Sequence, residues 1–139
     1  MPTHELRRSG EPPVVVDGDL VSQSTTKGGP SDRRFELVAI LRAKPGPPRY
    51  VLGISYLPPP KRARESARHW VLLANGAADV GPAIGDWRFA NPIADLLTQF
   101  PTAEQFAAKK ADLVARLDAE LRDAITDLLA RVPGTETRL

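Results

Sequence analysis

The spacing of apolar residues divides the chain into two halves with different predicted secondary structure. Between residues 35 and 74, β-branched and aliphatic residues occur in runs of six to eight that are separated by Pro and Gly. Such runs are typical of strands. From residue 91 onward, apolar residues recur every three or four positions, which is the period of an amphipathic helix. The pattern predicts an α+β domain, with the sheet first and the helices second.

The first half predicts a small antiparallel sheet of three or four strands. Residues 35–42 and 50–57 are expected to be antiparallel neighbours, because the linker between them is too short for a parallel crossover. Residues 69–74 form the third predicted strand and 87–89 a candidate fourth. The glycine-rich stretch 75–85 is interpreted as an irregular loop.

The second half predicts two helices that cover one face of this sheet. Asn91 and Pro92 have the chemistry of a helix start, and Pro101 ends that short helix. The second helix is predicted over 103–132, where Pro133 stops it. Its apolar residues fall on one stripe, and Asp/Arg pairs four residues apart lie on the other side.

The two ends of the chain are predicted to lie outside the domain, which spans 35–132. Residues 1–34 contain no aromatic residue and many Pro, Gly, Ser and Thr, so they are interpreted as a flexible arm. Within the arm, Asp17-Gly18 lies between short β-branched runs, which predicts a short hairpin over 14–21. Residues 133–139 are predicted to form a flexible tail.

Composition excludes several classes of chemistry. The chain is 42% hydrophobic and 26% charged, which is ordinary for a globular protein. It has no cysteine and two histidines, so disulfide scaffolds, thiolate zinc sites and three-histidine metal sites are excluded, and we expect no cofactor. There is no apolar run of roughly twenty residues and no signal-peptide pattern at Met1, which predicts a cytoplasmic protein without a membrane partner.

Positive charge is concentrated in one segment, although the net charge of the chain is only +2. Residues 33–70 contain nine basic and two acidic residues. Clustered cations neutralise phosphates or carboxylates, and a neighbouring His and Trp can stack on planar groups. The predicted partner-binding residues are Arg33, Arg34, Lys61, Arg62, Arg64, Arg68, His69 and Trp70. These residues predict a non-enzymatic binding protein for an anionic macromolecule, either nucleic acid or an acidic protein surface. The alternative interpretation of the cluster is a solvated connection between strands.

Two other functions compete with this one. The first is an oligomerising scaffold, because helix 103–132 carries a coiled-coil-like seam. Its seam residues are Val114, Leu117, Leu121 and Leu128. A homo-oligomer through this seam is the alternative to an internal core.

The second competing function is a small hydrolase or nuclease that uses the 69–95 region. The available acids and bases there are His69, Asp79, Asp86 and Asp95, with Ser55 or Ser66 as the nucleophile. Their spacing matches no catalytic motif, and a triad requires geometry that spacing alone does not establish. The sequence therefore favours a protein that is not an enzyme.

Overall fold

The computed structural model describes residues 2–26, 33–58, 66–97 and 104–132. Five strands come first along the chain: β1 Thr3–Arg8, β2 Glu11–Thr25, β3 Arg34–Arg42, β4 Tyr50–Leu57 and β5 Arg68–Ala74. A short 3-10 turn over Ala77–Asp79 precedes three helices: α1 Val80–Ala90, α2 Ile93–Leu96 and α3 Glu104–Ala130. The α+β class predicted from the sequence is confirmed.

The strands form one antiparallel sheet in chain order, β1-β2-β3-β4-β5. The sheet curls until the end of β1 reaches the start of β5. There the Ser9 N–H donates to the His69 carbonyl at 3.0 Å, and the Ser9 hydroxyl accepts from the His69 N–H at 2.8 Å. The curl places β1 and the first part of β2 over one face of the central strands.

The prediction of three or four strands is wrong, because the N-terminal segment supplies two more. Residues expected to form an arm pair in the sheet: Glu5 lies opposite Val15 in the β1–β2 pair, and Leu20 lies opposite Ile40 in the β2–β3 pair. The single strand β2 is 15 residues long and pairs with β1 through its first part and with β3 through its second. These backbone hydrogen bonds order a segment that has few bulky apolar groups.

The predicted hairpin over 14–21 is also wrong. Asp17 and Gly18 lie inside β2, and the turn falls instead at Gly10, whose φ of 78° favours glycine. Gly18 has a packing role, since a Cβ at this position would collide with the carbonyl oxygen of Leu41 on β3. The Asp-Gly pair therefore marks close strand approach and not a turn.

The central strands are buried on both faces only where β1 and the first part of β2 cover them. Phe35, Leu37 and Ala39 point toward the helices and are at most 1% exposed. Ile40 points to the opposite face, where it packs with Val16 of β2 in a second, smaller core. The larger core fixes the helices, and the smaller one fixes the curl of the sheet.

Helix α1 replaces both the predicted loop at 75–85 and the candidate strand at 87–89. Val80, Ile84 and Trp87 lie on one side of α1 and are buried in the larger core. Burial of this stripe stabilises a helix whose glycines and proline have low intrinsic helix propensity. Asn91 ends α1, with its side-chain amide donating to the Trp87 carbonyl at 2.8 Å.

Helix α3 matches the predicted long helix closely. Two of the expected ion pairs form on its outer side, Asp112 with Arg116 at 3.2 Å and Asp118 with Arg122 at 3.0 Å. Its C-terminal end is tied to β2, because the Ser22 hydroxyl donates to the Leu128 carbonyl at 2.8 Å. The predicted tail 133–139 lies outside the described residues.

The apolar stripe of α3 packs inside the single chain. Leu117, Leu121 and Leu128 are at most 1% exposed, and Val114 is half-buried beside them. These residues were the predicted coiled-coil seam. In this fold their side chains contact the sheet and the other helices, so they form no exposed surface for a second copy.

Candidate functional site

A cavity with both charged and apolar walls opens on the curled face of the sheet, beneath β1. It has a volume of about 310 Å³ and lies where β1 separates from β3, β4 and β5. Glu5 and Arg7 line it from β1, and Glu36, Ser55 and His69 line it from the central strands and β5. We refer to this space as the His69 cavity.

Three polar residues cross the floor of the His69 cavity in one row. Strand register places Glu36 of β3 opposite Ser55 of β4, and Ser55 opposite His69 of β5. Directly opposed residues point to the same face of a sheet, so the three side chains are neighbours. The Ser55 hydroxyl and His69 Nδ1 are hydrogen-bonded at 2.8 Å.

The environment of His69 favours a neutral ring. Partial burial lowers the pKa of His69, the nearby Arg7 guanidinium lowers it further, and Glu36 opposes both effects. An imidazole with a pKa below its ordinary value of about 6.5 is neutral at pH 7. The proton shared between Ser55 and Nδ1 is then carried by either the hydroxyl or the ring nitrogen.

This row lacks the geometry of a catalytic triad. A triad places the acid on the far side of the base from the nucleophile. Here Ser55 stands between Glu36 and His69, whose backbones are two strand spacings apart, or about 10 Å. A hydroxyl hydrogen-bonded to a histidine is therefore present, but an orienting carboxylate is not supplied by this row.

The acids proposed for a hydrolase lie elsewhere. Asp79 follows β5 and its carboxylate accepts from the Gly76 N–H at 3.0 Å, as a turn residue does. Asp86 is exposed on α1, and Asp95 is exposed in the first turn of α2. None of the three lines the His69 cavity. Within the described ranges, no cluster of three or more His, Asp or Glu side chains is arranged to hold a metal ion.

The predicted partner-binding residues have different fates in the fold. Arg34 and Arg68 flank the end of β4, on β3 and β5. Arg34 lies on the face of the sheet that carries the His69 cavity, which His69 lines, whereas Arg68 lies on the opposite face with Tyr56. Arg33 is 3% exposed, and Trp70 is half-buried against Trp87 in the larger core. Lys61, Arg62 and Arg64 lie outside the described residues, in the segment between β4 and β5.

Arginines away from the His69 cavity have partners within the protein. Each described helical arginine has a partner: Arg88 and Arg122 bind Asp118, Arg116 binds Asp112, and Arg131 donates to the Gln23 carbonyl. On the strands and the β3–β4 connection, Arg8 pairs with Glu11, Arg42 donates to the Pro48 carbonyl, and Arg49 donates to the Lys44 carbonyl.

The guanidinium groups of Arg7, Arg34 and Arg68 have no hydrogen-bond or ion-pair partner among the described residues. All three lie at the end of the sheet that carries the His69 cavity. Arg7 was missed from the sequence because residues 1–34 were interpreted as an arm. The sequence of residues 3–8 has only Leu6 as an apolar residue and so gave no strand signal, whereas the structure shows exposed and half-buried residues alternating from Thr3 to Arg8 as in a strand.

Comparison with known proteins gives no relative from which a function could be transferred. No protein-family model matches the chain, and neither the curated proteins nor the solved structures give a match. Among the described residues, no helix has both the length and the apolar character needed to cross a bilayer.

Proposed function

We propose that this protein is a non-enzymatic binding protein that engages an anionic macromolecule through the end of its sheet. The observation that carries the proposal is that the arginines without a described partner, Arg7, Arg34 and Arg68, lie at this one end. A guanidinium that is not engaged within the protein is available to bind phosphate or carboxylate groups. We name these three residues the arginine cluster.

The basic segment between β4 and β5 supports the same proposal. The segment that carries Lys61, Arg62 and Arg64 begins after Pro58 and ends before Ser66, so both of its ends lie beside the arginine cluster. The acidic residues of α3 are partly used in ion pairs on the other side of the sheet. We propose that an anionic partner is attracted to the end of the sheet that carries the arginine cluster, where Glu5 and Glu36 offset part of the positive charge.

In this proposal His69 and Trp70 have structural roles and do not stack on the partner. Trp70 supports the strand from inside, because its indole packs on Trp87. His69 holds β5 to β1 through its backbone and to Ser55 through its ring. We propose that both residues position the arginine cluster.

The test compares two triple variants that remove the same charge. Affinity is measured by fluorescence anisotropy for labelled single-stranded DNA, RNA and poly-glutamate at several salt concentrations. The Arg7→Ala, Arg34→Ala, Arg68→Ala protein should bind its anionic partner more weakly. For a nucleic acid, its log–log salt slope should fall by roughly one for each phosphate that is no longer neutralised.

The matched control is the Lys109→Ala, Arg116→Ala, Arg122→Ala protein, which changes exposed cations on α3. It should keep wild-type affinity. Equal losses of affinity in both proteins would show that net charge alone controls binding. That result, or no binding of any polyanion at low salt, would overturn the proposal.

A further inference from the structure

Most of the outer edge of β5 has no partner strand. β5 is the last strand of the sheet, and β1 bridges its edge through the two hydrogen bonds between Ser9 and His69. Backbone groups alternate sides along a strand, so Val71 and Leu73 present N–H and C=O groups to the same side as His69. In the part of the chain that the structure describes, no backbone hydrogen bond reaches Val71 or Leu73 from that side.

This edge also lacks the features that usually prevent strand addition. Natural edge strands are commonly protected by charged residues, prolines or bulges. Residues 70–74 contain no charge and no proline, and β5 pairs with β4 without a register shift. The side chain of Leu73 is 61% exposed on this edge. The outward backbone groups of Val71 and Leu73 are therefore free to pair with another strand, although the Val71 side chain packs, with Leu6 and Val14, against the smaller core.

An apolar cleft lies beside the open edge. It has a volume of about 440 Å³, and we call it the edge cleft. Its walls include Val14, Val15, Val51, Pro48 and Leu73, and Arg42 and Lys44 lie at its border. Asp17 also lines the edge cleft, but its carboxylate accepts a hydrogen bond from the Thr3 hydroxyl at 2.7 Å.

Cations stand near both ends of an uncharged strand edge, although Glu5 and Glu36 line the same cavity as Arg7 and Arg42 already donates to the Pro48 carbonyl. Arg68 and Arg7 lie at the start of β5, and Arg42 and Lys44 lie near Leu73 at its end. A binding segment that complements this pattern has apolar side chains at its centre and acidic side chains at both ends. Because Ser9 already occupies the outward backbone groups of His69, the segment pairs with residues 70–74, which takes about five residues between its acidic ends.

We propose that the β5 edge binds an extended segment of a partner protein as a sixth strand, with apolar residues over the edge cleft and acidic residues at both ends. This inference rests on the proposed function and selects an acidic protein over nucleic acid. A nucleic acid has no row of peptide amides to pair with Val71 and Leu73, whereas an extended peptide has.

The first experiment tests strand pairing with a synthetic peptide, Glu-Glu-Thr-Val-Thr-Val-Thr-Glu-Glu, labelled with a fluorophore. Two further peptides carry N-methyl groups, one on the valine amides and the other on the central threonine amides. Only one of these sets faces β5 in an added strand, so one methylated peptide should lose about tenfold in affinity and the other should bind like the parent. A peptide with lysine in place of glutamate should not bind.

The second experiment removes apolar surface without changing charge. Leu73→Gln should weaken binding of the parent peptide about tenfold, because it removes an apolar surface at the edge. The control is Phe89→Gln, which alters a side chain that is 90% exposed on α1. It should leave peptide affinity unchanged.

The outcomes separate this inference from the proposed function. Equal loss of affinity with the two methylated peptides, or unchanged affinity after Leu73→Gln, would overturn strand addition. Binding of DNA or RNA that depends on the arginine cluster, with no binding of the acidic peptide, would also overturn it while leaving the proposed function intact. Failure of every polyanion and of the peptide would overturn both.

Discussion

The indole of Trp70 meets the indole of Trp87 edge to face, with ring centroids 5.2 Å apart and planes at 69°. This contact joins β5 to α1, and Phe35 of β3 packs against the same Trp87 ring at 6.2 Å. Edge-to-face aromatic pairs add to the free energy gained from burying the rings. The aromatic group therefore links the edge strand to the helix layer.

Removing Trp70 should destabilise the protein substantially. Trp70→Ala deletes the contact with Trp87 and leaves a void in the larger core, so the free energy of unfolding should fall by about 3 kcal/mol. Trp70→Phe keeps an aromatic ring and should cost less than half as much. Urea denaturation of the three proteins measures the difference. Equal stability of wild type and Trp70→Ala would contradict the described packing.

The stability of the fold should depend on pH through His69. Its pKa is lower in the folded chain than in the unfolded chain, so on acidification the unfolded chain takes up a proton first. The stability that neutral His69 contributes is therefore complete above about pH 6.5. It decreases as the pH drops from there toward the lowered pKa of His69 in the folded chain. This loss should be seen in urea denaturation midpoints measured from pH 8 to pH 5 in steps of about half a pH unit.

One variant assigns this pH dependence. His69→Gln removes the titrating group and should flatten the curve through this range. A curve that is identical in wild type and His69→Gln would show that His69 does not control acid stability.

The fold is expected to tolerate alanine at one glycine and reject it at another. Gly18→Ala drives a methyl group into the Leu41 carbonyl, so it should cost at least about 2 kcal/mol of stability. Gly85→Ala adds a methyl group in open space on the exposed side of α1 and should stabilise the helix by roughly 0.5–1 kcal/mol. Thermal unfolding of the two variants should therefore shift in opposite directions.

The stripe of α3 should behave as an internal core. Leu117→Ala and Leu121→Ala should each cost about 2–5 kcal/mol through reduced burial and cavity formation. The wild-type melting temperature should not change with protein concentration, because these side chains are buried within one chain. A melting temperature that rises with concentration, together with dissociation of a dimer in Leu121→Ala, would favour the scaffold function instead.

The elements predicted correctly are those whose local sequence agrees with their final environment. β3 and β4 are rich in apolar residues that pack against the helices, and α3 keeps a strict helical stripe. β2 was missed because its apolar residues are few, and it is held both by hydrogen bonds with its two neighbouring strands and by Val16 in the smaller core. α1 was missed because Gly81 and Pro82 obscure the helical spacing of Val80, Ile84 and Trp87.

The same reasoning explains what the sequence revealed of the site. The basic segment is visible in composition, but composition does not show which arginines have partners. The hydrogen bond between Ser55 and His69 depends on strand register, which a one-residue slip would destroy. Arg7 becomes part of the site only because the curl brings β1 beside β5.

The hydrogen bonds between β2 and the end of α3 have a consequence for folding during translation. All neighbouring strands are consecutive, so each hairpin can assemble from nearby residues as it leaves the ribosome. Ser22 and Gln23, however, bind Leu128 and Arg131, which are synthesised more than one hundred residues later. The apolar face of the nascent sheet therefore stays exposed to solvent until translation is almost complete. We expect premature termination before α3 to yield an aggregation-prone product.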